Sequence, residues 1–173
     1  MKILITGSSG FIGFHLSKLL LEKGNNVYGI DSINNYYDVK LKKARLKILK
    51  KYKNFSFSKT RLENDKKIKI IFKKFKPKIV IHLAAQAGVR YSIDKPRVYL
   101  KSNINGTFNV IESSHEIKVK HLIMASSSSV YGANKKIPFK EIDQTETQLS
   151  IYAATKKANE SMAHAYSNLW KIP

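Results

Sequence analysis

The sequence predicts an α/β fold in which a doubly wound parallel sheet is covered by helices on both faces. Three observations carry this expectation. Apolar runs of strand length alternate with helical stretches from end to end. The first run, Ile3-Leu4-Ile5, feeds a glycine-rich turn, Gly7-Ser8-Ser9-Gly10-Phe11-Ile12-Gly13. The second, Val27-Tyr28-Gly29-Ile30, ends on an acid, Asp31, 18 residues beyond Gly13.

The elements follow in order. A strand over about 2–6 enters a helix over about 11–23, with Ile12, Leu16, Leu19 and Leu20 on one face and Gly24 closing it. A second strand covers 26–30. Asn34-Asn35-Tyr36-Tyr37 reads as a loop before a helix from about 38 to 52. Phe55-Ser56-Phe57 alternates as a third strand, and a helix over roughly 64–75 ends before Pro77. Ile79-Val80-Ile81-His82-Leu83 is the fourth strand. Pro96 opens a long helix to about 116, with Ile104, Phe108 and Ile111 inward. His121-Leu122-Ile123-Met124-Ala125 is the fifth strand, and a helix over about 150–170 follows. Such regular alternation implies parallel strands with right-handed crossovers. The pattern at Trp170-Lys171-Ile172-Pro173 calls for a further strand, so the sheet is expected to be truncated before its last strands. The fifth strand is then left at an edge.

Length and composition narrow the classes. The 173 residues suit one domain, and 43% hydrophobic residues can build a full core. No stretch approaches the roughly 18 apolar residues of a membrane span, and Met1-Lys2-Ile3 lacks the shape of a signal peptide. A cytoplasmic location is therefore expected. Without cysteine there is no disulfide, thiolate nucleophile or zinc–thiolate site. The five histidines (15, 82, 115, 121 and 164) form no short-spaced ligand pair, so no metal is expected. The net charge is +20, from 32 basic residues of which only Arg45, Arg61, Arg90 and Arg97 are arginine. Between Lys40 and Lys78 the lysines interleave with Leu41, Ala44, Ile48 and Leu49 at helical spacing, as on the solvated faces of helices. Nucleic-acid readers lean on arginine's bidentate fork, so no specific nucleic-acid partner is expected.

The glycine turn lets the backbone approach a diphosphate closely, and the helix after it presents unpaired N–H groups and a positive dipole end. Asp31, at the end of the second strand, accepts from both hydroxyls of a ribose and repels a 2′-phosphate. This is the Rossmann-type arrangement for a dinucleotide, and the acid favours NAD over NADP. Downstream, Tyr152-Ala153-Ala154-Thr155-Lys156 sets a phenol and an ammonium four residues apart on one helix face. A phenol ordinarily titrates near about 10, and a nearby cation favours its ionised form. The run Ala125-Ser126-Ser127-Ser128-Ser129-Val130-Tyr131-Gly132 lies at the C-terminal end of the fifth strand, where such sheets bind ligands. A serine there can hold a substrate hydroxyl whose proton the tyrosine takes.

Together these segments resemble the N-terminal part of the extended short-chain dehydrogenase/reductases, and within them the UDP-glucuronate 4-epimerases. The similarity rests on Thr6–Gly13, Asn34–Leu46, His82–Ser92, Ala125–Gly132 and Ile151–Ala165. It implies one domain over 1–173 that binds NAD and carries the catalytic pair, with the C-terminal substrate domain absent. Gly7, Gly10, Phe11 and Ile12 would hold the diphosphate and Asp31 the adenosine ribose. Leu62 would line the adenine pocket. Leu83, Ala84 and Ala85 would pass under the cofactor, and Asn103 would support the site. Ser127, Tyr152 and Lys156 would be catalytic, the last two also touching the cofactor. Arg90, Ser127 and Ser129 would meet the UDP-sugar.

The implied reaction is a hidden redox cycle at C4. Tyr152 takes the 4-OH proton as C4 gives a hydride to NAD⁺; the 4-ketosugar turns, and the hydride returns to its other face. The resemblance also implies a homodimer through the helices at about 96–116 and 150–170. One departure is Arg61, where the family usually has an acid before Leu62. Alternatives are another nucleotide-sugar epimerase, a dehydratase, a decarboxylase, or a non-catalytic NAD-binding fragment. The dehydratase branch carries an Asp-Glu pair in the strand-end run, where this chain has Ser128 and Ser129.

Overall fold

In a computed structural model, which describes residues 1–173, five parallel strands form one sheet. They are β1 (Lys2–Thr6), β2 (Asn26–Asp31), β3 (Phe55–Lys59), β4 (Ile79–His82) and β5 (His121–Met124). Their spatial order is β3-β2-β1-β4-β5. Ile3 lies beside Val27 on one side and Ile79 on the other, and Val80 beside Leu122. The order reverses between β1 and β4, which makes the crevice above those two strands the natural ligand site.

Both faces of the sheet are covered, so the central strands are buried on both sides. Ile3 and Ile5 point to one core with Phe14, Leu21, Val27, Leu49 and Ile81. Leu4 points to the other, with Ile30, Leu62, Ile68, Phe72, Val80 and Val110. The first core is closed by α1 (Phe11–Glu22) and α2 (Val39–Leu49). The second is closed by α3 (Asp65–Phe75) and α6 (Gly106–Glu116). Several helix starts follow from local chemistry. Asp38 accepts from Lys40 N–H at α2, and Asn64 from Lys67 N–H at α3. Ser150 accepts from Ala153 N–H at α7 (Ile151–Trp170). Each relieves an unpaired first-turn donor.

Three expectations need correction. On α1 the buried face is Gly13, Phe14, Ser17 and Leu21, while Ile12 and Leu19 are exposed. Gly13 must lie against the Gly7 carbonyl, which rotates the helix by one residue from the face its leucines suggest. The helix expected over 96–116 is a composite. It runs from α5 (Pro96–Tyr99) through a π-helical turn at Leu100–Asn105 into α6. The wider turn shifts the register, so Ile111 and Val110 are buried but Phe108 is exposed. On α2 Lys42 is buried rather than solvated. A short helix α4 (Val89–Asp94) and a 3₁₀ turn at Ser128–Tyr131 had no signal in the periodicity. No helix is long and apolar enough to cross a membrane.

Candidate functional site

The strand ends above the β1/β4 reversal carry the site. Gly7 leaves β1 with φ +75°, a conformation that favours glycine, and its carbonyl accepts from Gly10 N–H at 2.9 Å. A Cβ on Gly13 would sit 2.1 Å from that carbonyl oxygen. The loop can therefore close only around glycine, and it opens a helix N-terminus toward the crevice.

Asp31 closes the neighbouring strand. Its Oδ2 accepts from Ser9 N–H at 3.0 Å and its Oδ1 from Ile33 N–H at 2.8 Å. These bonds lock the carboxylate against the glycine loop. A carboxylate offers about four acceptor positions, so two remain for a ligand.

One cleft brings Gly7, Gly10, Asp31, Leu62, Leu83, Ala84 and Ala85 together. Arg61 lies at its rim. Phe11 and Ile12, both largely exposed, sit on the first turn of α1 outside that lining. Arg90 is exposed on α4 and is not part of the cleft lining.

A second group stands beside the cleft and is tied to it through Gln86, which lines it. The fully buried Asn103 side chain accepts from Gln86 N–H at 2.8 Å and donates to Gln86 C=O at 3.0 Å. It also reaches Thr155 Oγ1 on α7 at 3.1 Å. The π-helical turn is what aims this amide, and such turns recur at functional sites. Tyr152 is half-buried, with its ring edge-on to Tyr99 at 6.1 Å. Tyr99 donates to the carbonyls of Ala87 (2.8 Å) and Gly88 (2.5 Å), and burial pushes its phenol up to about 12.

Lys156 is buried and donates to Ala125 C=O at 2.9 Å; burial holds its ammonium below the usual lysine range. Ser127 Oγ accepts from Ser129 N–H at 3.2 Å, which leaves its own hydroxyl proton free to donate. Ser127 and Ser129 are both half-buried at the end of β5.

The periodicity missed Lys42. Its Nζ donates to Asn34 C=O (2.8 Å) and Asn34 Oδ1 (2.7 Å) and lies 3.9 Å from the centre of the Tyr37 ring. Burial lowers its pKa while the nearby Asp31 opposes that shift. Tyr36, Thr60 and Gln86 also line the cleft unannounced. The signal for Lys42 lay in the Asn34–Leu46 segment rather than in helical spacing.

Comparison with known proteins agrees with this geometry. A family model described as GDP-mannose 4,6 dehydratase matches residues 4–173. Protein CapI of Staphylococcus aureus is 54% identical over the whole chain, which covers 52% of that protein. A probable UDP-glucuronate 4-epimerase of Rhizobium meliloti is 46% identical over the whole chain and is covered to 51%. The chain thus spans about half the length of the curated relatives it matches. Among solved structures, the UDP-glucuronic acid 4-epimerase of Bacillus cereus, in complex with UDP-glucuronic acid and NAD, superimposes with a TM-score of 0.92. It is 34% identical over 100% of this chain and 54% of that one. The sheet order, the glycine loop, the acid-lined cleft and the 4–173 match agree: the chain belongs to the GDP-mannose 4,6 dehydratase family.

Proposed function

We propose that the chain supplies the NAD-binding and catalytic part of a UDP-sugar 4-epimerase, converting UDP-glucuronate to UDP-galacturonate through a 4-keto intermediate. One observation carries the reading most: the buried Asp31 carboxylate, the glycine loop and the Leu83–Ala85 backbone meet in a single cleft at the strand-order reversal. The residues present fit NAD. The space a Cβ would fill at Gly13 stays free for the loop to close, and two acceptor positions of Asp31 match two ribose hydroxyls. Lys42, fixed beside Asp31, adds a cation for the same ribose.

The chemistry supplied by a bound NAD⁺ is reversible hydride acceptance from the sugar C4. Ser127 orients the 4-OH and Tyr152 takes its proton. Lys156 lies one helical turn from Tyr152, where its charge favours the phenolate. It is itself held in place by Ala125 C=O. Ser128 and Ser129 cannot serve as the acid and base that dehydration across C5–C6 would need. That favours epimerisation over the reaction in the family's description.

Calorimetric titration of the 173-residue chain tests the cofactor reading. NAD⁺ should bind more tightly than NADP⁺. Asp31→Ala should weaken NAD⁺ roughly ten- to hundredfold, as expected for losing hydrogen bonds to a charged group. Equal or tighter NADP⁺ binding by the unmutated chain would refute it.

The same reading includes a homodimer, formed in the cytoplasm through the helices at 96–116 and 151–170. Phe108, Leu169 and Trp170 are exposed on these helices. Light scattering should then give twice the 19.7 kDa chain mass at tens of micromolar, and a monomer mass would count against it.

A further inference from the structure

His82 is the buried ionisable group that the chemistry above leaves unused, and its surroundings define which nitrogen holds its proton. Ala84 N–H donates to Thr6 Oγ1 at 3.1 Å, and Leu83 N–H is shared between that oxygen (3.2 Å) and Thr6 C=O (3.3 Å), so both amides face the hydroxyl as donors. Neither amide can accept, so the Thr6 proton turns to the remaining partner, His82 Nδ1, 2.7 Å away. With Nδ1 an acceptor, the ring proton lies on Nε2, which donates to Thr107 Oγ1 at 2.9 Å. Thr107 is also 3.3 Å from the Asn159 amide on α7. The Asn159 Nδ2 amide donates to Thr107 Oγ1, so this hydroxyl oxygen accepts from both His82 and α7. Thr6, His82, Thr107 and Asn159 are all buried.

The result is one directional chain of donors. It runs from the Leu83 and Ala84 amides through Thr6 and His82 to Thr107, where the Asn159 amide meets it as a second donor. A doubly protonated ring would break it, because Thr6 Oγ1 would then face a third donor and its own proton would lose its acceptor. Burial and the charge of Lys156 push the ring down to about 3, in agreement.

We propose that His82, neutral and protonated on Nε2, is a positioning residue that ties the loop beneath the cofactor to the helix bearing Tyr152 and Lys156. Asn159 follows Lys156 by three positions, so the tie fixes the face of α7 that carries the ammonium. The functional arm of this inference rests on the NAD reading above.

The test uses the 173-residue chain with ¹⁵N-labelled histidine rings. Nuclear magnetic resonance should show His82 Nδ1 bare and Nε2 protonated, unchanged between pH 5 and 8. A ring that titrates in this window, or one protonated on Nδ1, overturns the proposal. Thr107→Val should speed amide exchange over 155–160. It should also weaken NAD⁺ binding roughly tenfold, the order of one lost buried hydrogen bond. Melting should stay cooperative. Thr107→Ser, which keeps the hydroxyl, should restore both properties. Unchanged exchange and affinity in Thr107→Val would overturn the tie. If the unmutated chain binds no NAD⁺, the cofactor reading fails alone. The ring tautomer and the exchange rates then still decide the proposal.

Discussion

Gly13→Ala should abolish measurable NAD⁺ binding by the chain and destabilise it by about 3 kcal/mol or more, the upper end for overpacking. The added Cβ would lie 2.1 Å from Gly7 O, 2.8 Å from Gly7 C and 3.1 Å from Ser8 Cα. All three are main-chain atoms, so no side chain can swing aside. Relief requires moving the loop that donates Gly10 N–H to Gly7 C=O and Ser9 N–H to Asp31. Both the diphosphate cradle and the ribose acid would shift together. Gly24→Ala is the control. Its φ is +75°, where Gly13 is helical, but a Cβ there meets nothing within 4 Å. It should cost only about 1–2 kcal/mol of left-handed backbone strain and leave NAD⁺ affinity intact. Urea melts and calorimetry on the two variants check this. Equal affinities in Gly13→Ala and the unmutated chain would sink the loop assignment.

Tyr152→Phe should cost about 10²–10⁴-fold in epimerisation while leaving NAD⁺ affinity within about twofold, because only a proton acceptor is removed. The ring remains, so its edge-on contact with Tyr99 remains as well. The measurement needs the sugar nucleotide to be gripped at groups remote from C4, since such positioning can contribute roughly 7–11 kcal/mol of a barrier. The assay therefore supplies the C-terminal half of a UDP-glucuronate 4-epimerase in trans. The 173-residue chain alone should bind NAD⁺ and turn over little UDP-glucuronate. Full activity in Tyr152→Phe would move the proton transfer to another group. Turnover by the chain alone near that of a full-length relative would refute the need for the remote grip.

Much of this site was legible because its signals are local. Strand, glycine loop, helix and strand-end acid lie within Lys2–Asp31, and the reading there differs from the structure by a residue or so at each end. Tyr152 and Lys156 share a face by helical spacing alone. What was illegible depends on tertiary context. Lys42 looked like one more surface lysine because spacing cannot show that Asn34 and Tyr37 fold over it. The rotation of α1 is set by contact between Gly13 and Gly7, not by its own leucines. The π-helical turn at Leu100–Asn105 breaks the 3.6-residue period, which is why Phe108 was expected inside and lies outside. The tie through His82 joins residues up to 78 positions apart, and no periodicity reports such a contact.

The strand order also dictates a sequence of events during synthesis. β1 is made first but lies at the centre of the sheet, with β2 on one side and β4 on the other. Its pairing with β2 joins Lys2 to Asn26, and that of β2 with β3 joins Val27 to Phe55. Its second edge must wait for Ile79, and β4 in turn waits for His121. A ribosome that has delivered only the first three strands therefore holds a half-sheet whose most apolar strand has an open side. Such an edge invites pairing with other nascent chains. The interval between residues 59 and 79 is thus the stretch of translation in which this chain most needs shielding by a chaperone. A pause placed there should cost more soluble protein than the same pause placed after β4.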